Sequence, residues 1–528
     1  MYDYILRGGT IIDGTGGPGY ISDLGIKGDE VASIGQLEGE AKTILDVSGK
    51  AVVPGFIDLH SHADFNFFID PLADSKITQG VTFEYVGNCG VSFCAPLLGD
   101  SYSDIRDRKS WYKTDWEPSW TDFSGYLDAL SANGSTLNIA TQVGHGTIRR
   151  AVMGMETRSP DSGELSRMQG LIGESLDAGA LGFSTGLSMT PGYYSLGTEV
   201  LSLVEVVADR GKLYSSHIRD SSTEGVGLFV AMAEVLESGR RTGVSVQISH
   251  LKANGGLRGE SSRLLGMIEE ALHDGIDVAA DVYPYISASG PMSGNVFPRW
   301  ALEGGRAEAL KRLEDSDLRA QIVDGLDKAF GNFGGPNRVA VASYSANPDF
   351  EGMQLSDIAN EFNCGEAEAL ARLYEGFDAT LIITGMQQED VDRISAAPYV
   401  AIGSDGDSLR TSGPLSAGSP HPRSYGTFPR FLAQVRDDSI TDLEDAIRKM
   451  TTLPAERLGL ERRGRLSPGY FADVVVLDPS SVTDRATFED PHQYSVGIED
   501  VFVNGVSVVT GGVSTGETPG RVIRQSNE

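Results

Sequence analysis

Two of the chain's eight histidines stand one residue apart in "FIDLHSHAD", residues 56–64. Phe56, Ile57 and Leu59 read as a short buried strand. Residues two apart in a strand project to the same face. His60 and His62 therefore aim two imidazoles at one point, which suits a metal ion or a hydrogen-bonded polar pair. Similar groups close other apolar runs: Cys89 in "GNCG", His217 in "SSHIRD", His250 in "QISHLK" and Asp405 in "GSDGD". A lone histidine at a strand end is ordinarily a hydrogen-bonded core residue. Four histidines, a cysteine and an aspartate at the same end of one parallel array point instead to a bound cation. His145, in "VGHGTIR", closes a further run. It could steady a developing oxyanion or sit hydrogen-bonded in its loop. His273, in a helical stretch, and His492, near the C-terminal β region, read as bystanders, and Cys94 and Cys364 as core thiols.

These groups need a scaffold that brings strand ends together. Strand-like runs fall at 56–62, 82–87, 137–144, 181–186, 213–220, 244–252, 277–285 and 399–406. Helical text such as "GELSRMQGLIGESLDAG" and "SSRLLGMIEEALHDG" lies between many of them. Strand–helix alternation implies parallel strands, and eight of them fit an α/β fold of the (β/α)8, TIM-like barrel kind. Catalytic groups in that fold sit at the C-terminal strand ends. The stretch from 285 to 399 is too long for one helical return, and it holds charged helical text and an extra apolar run, "ATLIITGM". Both ends of the chain look all-β. The run "VFVNGVSVVTGG" carries Asn504-Gly505 between apolar halves, a hairpin signal. The expected organisation is a small β-sandwich from both termini (1–54 and 461–528), a catalytic barrel in two parts (55–285 and 351–460) and an inserted subdomain or lid (286–350).

With 528 residues the chain can bury a large core. Its 43 basic and 74 acidic residues give a net charge of −31, which argues against nucleic acid and anionic membrane surfaces as partners. An anionic substrate would need local Lys or Arg. Three cysteines make no disulfide framework and fit a reducing compartment. The start, "MYDYILRGGT", lacks the pattern of a secretory signal, and no run approaches the ~18 apolar residues of a membrane helix. The expectation is a soluble cytoplasmic protein.

The text "VVPGFIDLHSHAD", "GVTFEYVGNCGVSFCAP", "VGHGTIRRAVMG", "GFSTGL", "SSHIRD", "ISHLKANG", "DVYPY", "GSDGD", "HPRSYGTFPRFL" and "TTLPAERLGLERRGRLSPGYFADVVVLDP" resembles the amidohydrolase superfamily, and within it the N-acyl-D-amino-acid deacylases. The likeness runs nearly end to end. Many members of that superfamily bridge two metals with a carboxylated lysine, and the deacylase branch places a cysteine there, as Cys89 would be. The resemblance implies zinc-dependent hydrolysis of N-acyl-D-amino acids. Cys89, His217 and His250 would hold a tight zinc. His60 and His62 would serve a second, weaker position that shares Cys89 and Asp405, and Asp405 would act as base and then acid. Lys252, Tyr283 and Arg423 would bind the substrate's carboxylate, and Arg299 in the insertion could meet an acidic side chain. Two other readings are a cyclic-amide hydrolase of hydantoinase or dihydroorotase type, which usually carries the bridging lysine, and a non-catalytic metal-binding scaffold. Stereochemistry enters through the resemblance alone.

Overall fold

The structure, a computed structural model, describes residues 1–93, 95–220 and 225–524, so Cys94 lies outside it. All eight expected runs become strands of one parallel sheet: β1 (Phe56–Asp58), β2 (Val81–Val86), β3 (Asn138–Gly144), β4 (Gly182–Gly186), β5 (Leu213–His217), β6 (Ser245–Ile248), β7 (Val278–Val282) and β8 (Val400–Ile402). They neighbour one another in chain order, and almost every residue in them is buried. Covered on both faces, these strands still bury polar side chains, among them Glu84, Gln142, Ser184, Gln247 and Asp281, beside apolar ones such as Phe83, Val143, Phe183, Val246 and Ala280. The helix Ser162–Ala178 begins at Asp161, whose carboxylate accepts from the Gly163 and Glu164 amides. Both helical texts singled out in the sequence fold as helices, the second as Ser261–His273.

The barrel closes beyond the last ladder residues of β1 and β8. Asp405 N–H donates to the His60 carbonyl at 2.8 Å, and His62 N–H to the Gly406 carbonyl at 2.9 Å. The closing contact thus lies among the residues expected to carry the chemistry.

The β region from both termini is one nine-stranded sheet that gathers Leu6, Leu24, Val52, Val474 and Phe502 into a single core. Its strand Tyr2–Ile11 pairs with Ala41–Asp46 along its first half and with Ala51–Pro54 at its end, so it passes between the two halves of the sheet. The expected hairpin at Asn504-Gly505 joins Ile498–Val503 to Val506–Thr510, with both turn residues at positive φ. The last described residues leave this sheet. Pro519 and Val522 bridge to Ser135 and Ile139 at the entry to β3, and Ile523 is buried there.

The insertion carries its own three-stranded sheet, Ser287–Pro291, Thr380–Thr384 and Val339–Ser343, with Thr380–Thr384 in the middle. Its core runs from Met292 to Ile383. This moves the expected boundary at 350: the central strand is the run "ATLIITGM", which pairs antiparallel with both neighbours inside the insertion instead of entering the barrel. Cys364 packs partly buried against this core. Among the described residues no helix is long and apolar enough to cross a membrane.

Candidate metal centre and active site

The strand ends bring His60, Cys89, His250 and Asp405 together, with one donor atom from each within 4.8 Å of all the others. His60 Nε2 stands 3.3 Å from Cys89 Sγ and 3.3 Å from Asp405 Oδ1, and Cys89 Sγ lies 3.5 Å from His250 Nε2. Donors at ordinary zinc bond lengths in a tetrahedron stand about 3.3–3.7 Å apart. The spacing and the mixture of imidazole, thiolate and carboxylate both fit such an ion. His62 Nε2 donates to Asp405 Oδ1 at 3.0 Å, and His217 Nδ1 meets His250 Nε2 at 2.8 Å. All six expected metal-facing residues therefore form one connected group.

The backbone is bent to make this possible. Cys89, His250 and Asp405 all adopt positive φ, at 55°, 36° and 51°. That region is costly for residues with a side chain, and it persists at sites where the surrounding structure holds it. Gly186 at the end of β4 lets the Cys89 loop approach, since a Cβ there would fall 2.0 Å from the Cys89 carbonyl oxygen.

Charges in the cluster are mutually dependent. Burial opposes a charge on His60, but Asp281, then Cys89 and Asp405, outweigh it and hold its pKa well above the usual histidine value. Burial likewise opposes charge on His62, yet the hydrogen bond to Asp405 and the nearby thiol bring it up to about 9. Burial raises the Cys89 thiol, and the charges of His60 and His250 reverse this and leave it well below its ordinary range. His250 is pushed down to about 4, first by burial and then by Lys252 and His217. Burial would raise Asp405, but Arg423 and then His60 hold it well below the carboxylate range.

These directions give a pH prediction. At neutral pH the metal-free chain carries protons on His60 and His62, and an incoming cation must displace them. Binding should release protons, and apparent metal affinity should rise with pH up to about 9, the value for His62. Calorimetry in buffers of different ionisation enthalpy measures the release. Proton-neutral binding at pH 7 would contradict the assignment.

The three residues expected to bind the substrate carboxylate also meet. Lys252 Nζ donates to Tyr283 OH at 3.3 Å, and the Arg423 guanidinium carbon lies 5.0 Å from the centre of the Tyr283 ring. Arg423 Nη1 donates to Asp405 Oδ2 at 2.7 Å, and Nη2 to the Ser289 carbonyl at 3.2 Å. Arg423 thus ties the cluster to the first strand of the insertion.

A model of the amidohydrolase family matches residues 43–214 and 397–509. The chain is 36% identical to the N-acyl-D-glutamate deacylase of Alcaligenes xylosoxydans xylosoxydans, over 99% of this chain and 96% of that one. It is 36% identical to the D-aminoacylase of the same organism, over 99% and 98%. The chain belongs to the amidohydrolase family. This amidohydrolase also superposes on the crystal structure of N-acyl-D-glutamate deacylase from Bordetella bronchiseptica, complexed with zinc and a phosphonate mimic of the reaction's tetrahedral intermediate. The TM-score is 0.82 and the identity 35%, covering 99% of this chain and 100% of the other. The L-hydantoinase of Arthrobacter aurescens shares the fold at 16% identity over 99% and 100% of the two chains, with a TM-score of 0.57.

His145 does not join the metal-facing group of this amidohydrolase. It opens the helix His145–Met153, is fully buried, and its Nε2 donates to Glu199 Oε1 at 3.0 Å. Arg149 Nε shares that oxygen at 3.1 Å. The Nε2 contact fits the expected alternative, a hydrogen-bonded histidine, while Nδ1 is buried with no hydrogen-bond partner among the described residues. His273 is exposed, and His492 bonds Tyr425 OH and the Gly418 carbonyl. Arg299 donates to the Ser293 and Gly294 carbonyls, at 2.7 Å each, and its guanidinium lies 5.6 Å from the Tyr193 ring centre.

Two residues of this group escape a reading of the sequence. Asp281 Oδ1 accepts from His60 Nδ1 and from the His250 amide, both at 2.8 Å. It fixes the tautomer that turns His60 Nε2 toward the cluster. The available signal is its place two residues before Tyr283 in β7, on the same face. His421 is buried, donates from Nε2 to the Ser287 carbonyl at 3.0 Å, and accepts the Arg423 amide at Nδ1. Asp281→Asn should weaken metal affinity about 10–100-fold, as loss of a carboxylate behind a ligand histidine ordinarily does. Competition with a chromogenic chelator measures it, and unchanged affinity would remove Asp281 from the site.

Proposed function

We propose that this amidohydrolase cleaves the linear amide of N-acyl-D-amino acids, giving a carboxylate and a free D-amino acid. The observation that carries this reading is the meeting of Lys252, Tyr283 and Arg423 with Asp405 beside a Cys/His donor set, in a chain that resembles two deacylases along its whole length. Cys89, His217 and His250 would hold zinc at a tight site, and His60 and His62 would serve a second, weaker position that shares Cys89 and Asp405; the ion would supply polarisation of the amide carbonyl and a more acidic water.

The chain's own residues do the rest. Asp405 turns Oδ1 toward His60 and His62 and Oδ2 toward Arg423. Being ionised, it accepts a proton from the attacking water and returns one to the departing nitrogen, which would otherwise leave poorly as an amide anion. Lys252 gives a point charge for the substrate carboxylate, Tyr283 a hydroxyl and Arg423 a planar fork. These cations offset the repulsion that a net charge of −31 exerts on an anionic substrate. A cytoplasmic location suits the sparse cysteines, and small N-acyl amino acids are the partners this site fits.

Because Arg423 also holds Asp405, its loss has two consequences. Arg423→Ala should cost about 2–4 kcal/mol in kcat/KM with N-acyl amino acids. It should also slow an N-acyl amine that has no carboxylate, through Asp405. Lys252→Ala should impair the carboxylate-bearing substrate alone. If both variants handle N-acyl amino acids like wild type, the carboxylate is held elsewhere.

The cyclic-amide reading is separated by product: a hydantoin opens without free amine, whereas deacylation releases one amine per turnover. Hydantoin opening with no amine release from N-acetyl-D-amino acids would replace this function.

A further inference from the structure

One layer beneath the cluster lies a charge network that the reaction does not use directly. Lys76, Asp58 and Glu84 are all fully buried. Lys76 Nζ sits 2.6 Å from Asp58 Oδ2, 3.0 Å from Glu84 Oε1 and 2.7 Å from Ser404 Oγ. Ser404 N–H donates to Asp58 Oδ1 at 2.9 Å, its hydroxyl donates to Asp58 Oδ2 at 2.5 Å, and the Gly406 amide donates back to that hydroxyl at 3.1 Å. Asp58 Oδ1 also accepts the His60 amide at 3.3 Å. Glu84 is bound by Ser61 Oγ at 2.6 Å and Ser408 Oγ at 2.5 Å.

These partners lie on the two edges of the barrel that must meet. Asp58, His60 and Ser61 belong to β1 and its exit, and Ser404, Gly406 and Ser408 to the exit of β8. Between the two edges the backbone offers a few hydrogen bonds past the strand ends instead of a full ladder. One buried cation facing two carboxylates is an arrangement whose geometry is tightly set, since each ion is uncompensated if the others move. Burial opposes the charge on Lys76, and Asp58 and Glu84 restore it and raise its pKa above the usual lysine value.

We propose that the Lys76–Asp58–Glu84 network is a positioning device that locks the β1/β8 seam and thereby sets where His60 and Asp405 point. It touches neither substrate nor ion. It acts through the Asp58–His60 and Ser404–Asp405 backbone, from which His60 and the positive-φ Asp405 project. It rests on reading the cluster as a metal centre, and is independent of which amide is cleaved.

Cobalt substitution tests it without any turnover. Metal-free wild type reloaded with Co2+ should show thiolate charge-transfer absorption from Cys89 and visible ligand-field bands sensitive to His60 and Asp405. Lys76→Met should keep the charge-transfer band, because Cys89 contacts His60 and His250 and not the network, although Glu84 stands on the same strand, β2. Its ligand-field bands should shift or weaken, and its Co2+ affinity should fall about 10–100-fold. Ser404→Ala should move the same bands in the same direction by less, and it carries the test if Lys76→Met does not fold. Lys449→Met is the control. Lys449 is equally buried, but it bonds the Ala397 and Val400 carbonyls at the opposite end of β8, so its loss should lower stability and leave the spectrum unchanged. A folded Lys76→Met or Ser404→Ala protein with wild-type bands and affinity overturns the proposal. So does a Lys449→Met protein whose bands move as far. No cobalt spectrum in wild type overturns both the metal centre and the seam. Shifted bands with no amide hydrolysis would refute the deacylase reading and leave the seam standing.

Discussion

Asp405→Asn should lower kcat by about 10²–10⁴-fold or more, with the fold and at least the tightly held metal retained. Asparagine matches the carboxylate in size and keeps an oxygen to face His60 and His62, so packing changes little. It cannot accept the proton that attack by water releases, and it cannot deliver one to the leaving nitrogen. The loss should appear in kcat rather than KM, because Asp405 serves the transition state and not the bound amide. Steady-state kinetics together with metal analysis and circular dichroism separate this from misfolding. A near-normal rate at neutral pH would show that another group is the base.

Cys89→Ala should lose bound zinc and turnover together, the rate falling by roughly 10³-fold or more because several kcal/mol of charge stabilisation goes with the ion. The competing reading is a nucleophilic thiolate that forms a thioester. Sγ lies 3.3 Å from His60 Nε2 and 3.5 Å from His250 Nε2, a contact that suits a shared ligand and a His-activated thiolate alike, so the zinc content of the variant decides between them. A nucleophile variant would keep its zinc. Chelation should abolish wild-type activity and zinc should restore it, whereas full activity in chelated protein would contradict the metal centre.

The barrel was legible because strand-like runs such as "TFEYVG", "LNIATQVG" and "DVAADVYPY" alternate with helical text. The ligand types could be read because histidine is scarce in this chain and falls at the ends of those runs. The insertion's extent was not legible. Thr380–Thr384 has the look of a barrel strand, and only its antiparallel pairing with segments some 40 and 90 residues earlier places it elsewhere.

Within the site, the missed residues are those whose role depends on a partner. Asp281 is one acid among 74 until His60 and the His250 amide converge on it. Lys76, in "ADSKITQG", reads as an ordinary helical lysine until Asp58 and Glu84 enclose it. Arg423 was readable as a cation near Asp405, but its hold on Oδ2 was not, and that contact couples substrate binding to the base. His145 shows the reverse. Its position at a strand end suggested chemistry, and Glu199, supplied by another helix, takes its Nε2, while its buried Nδ1 has no hydrogen-bond partner among the described residues.

The most direct measurement is amine release by the zinc-loaded protein from a panel of N-acetyl amino acids in both enantiomers, acidic and apolar side chains included. One free amino acid should appear per acetate, from D substrates, and the release should be lost on chelation. Release from L substrates alone, or none from any member of the panel while the metal is bound, would contradict the deacylase reading.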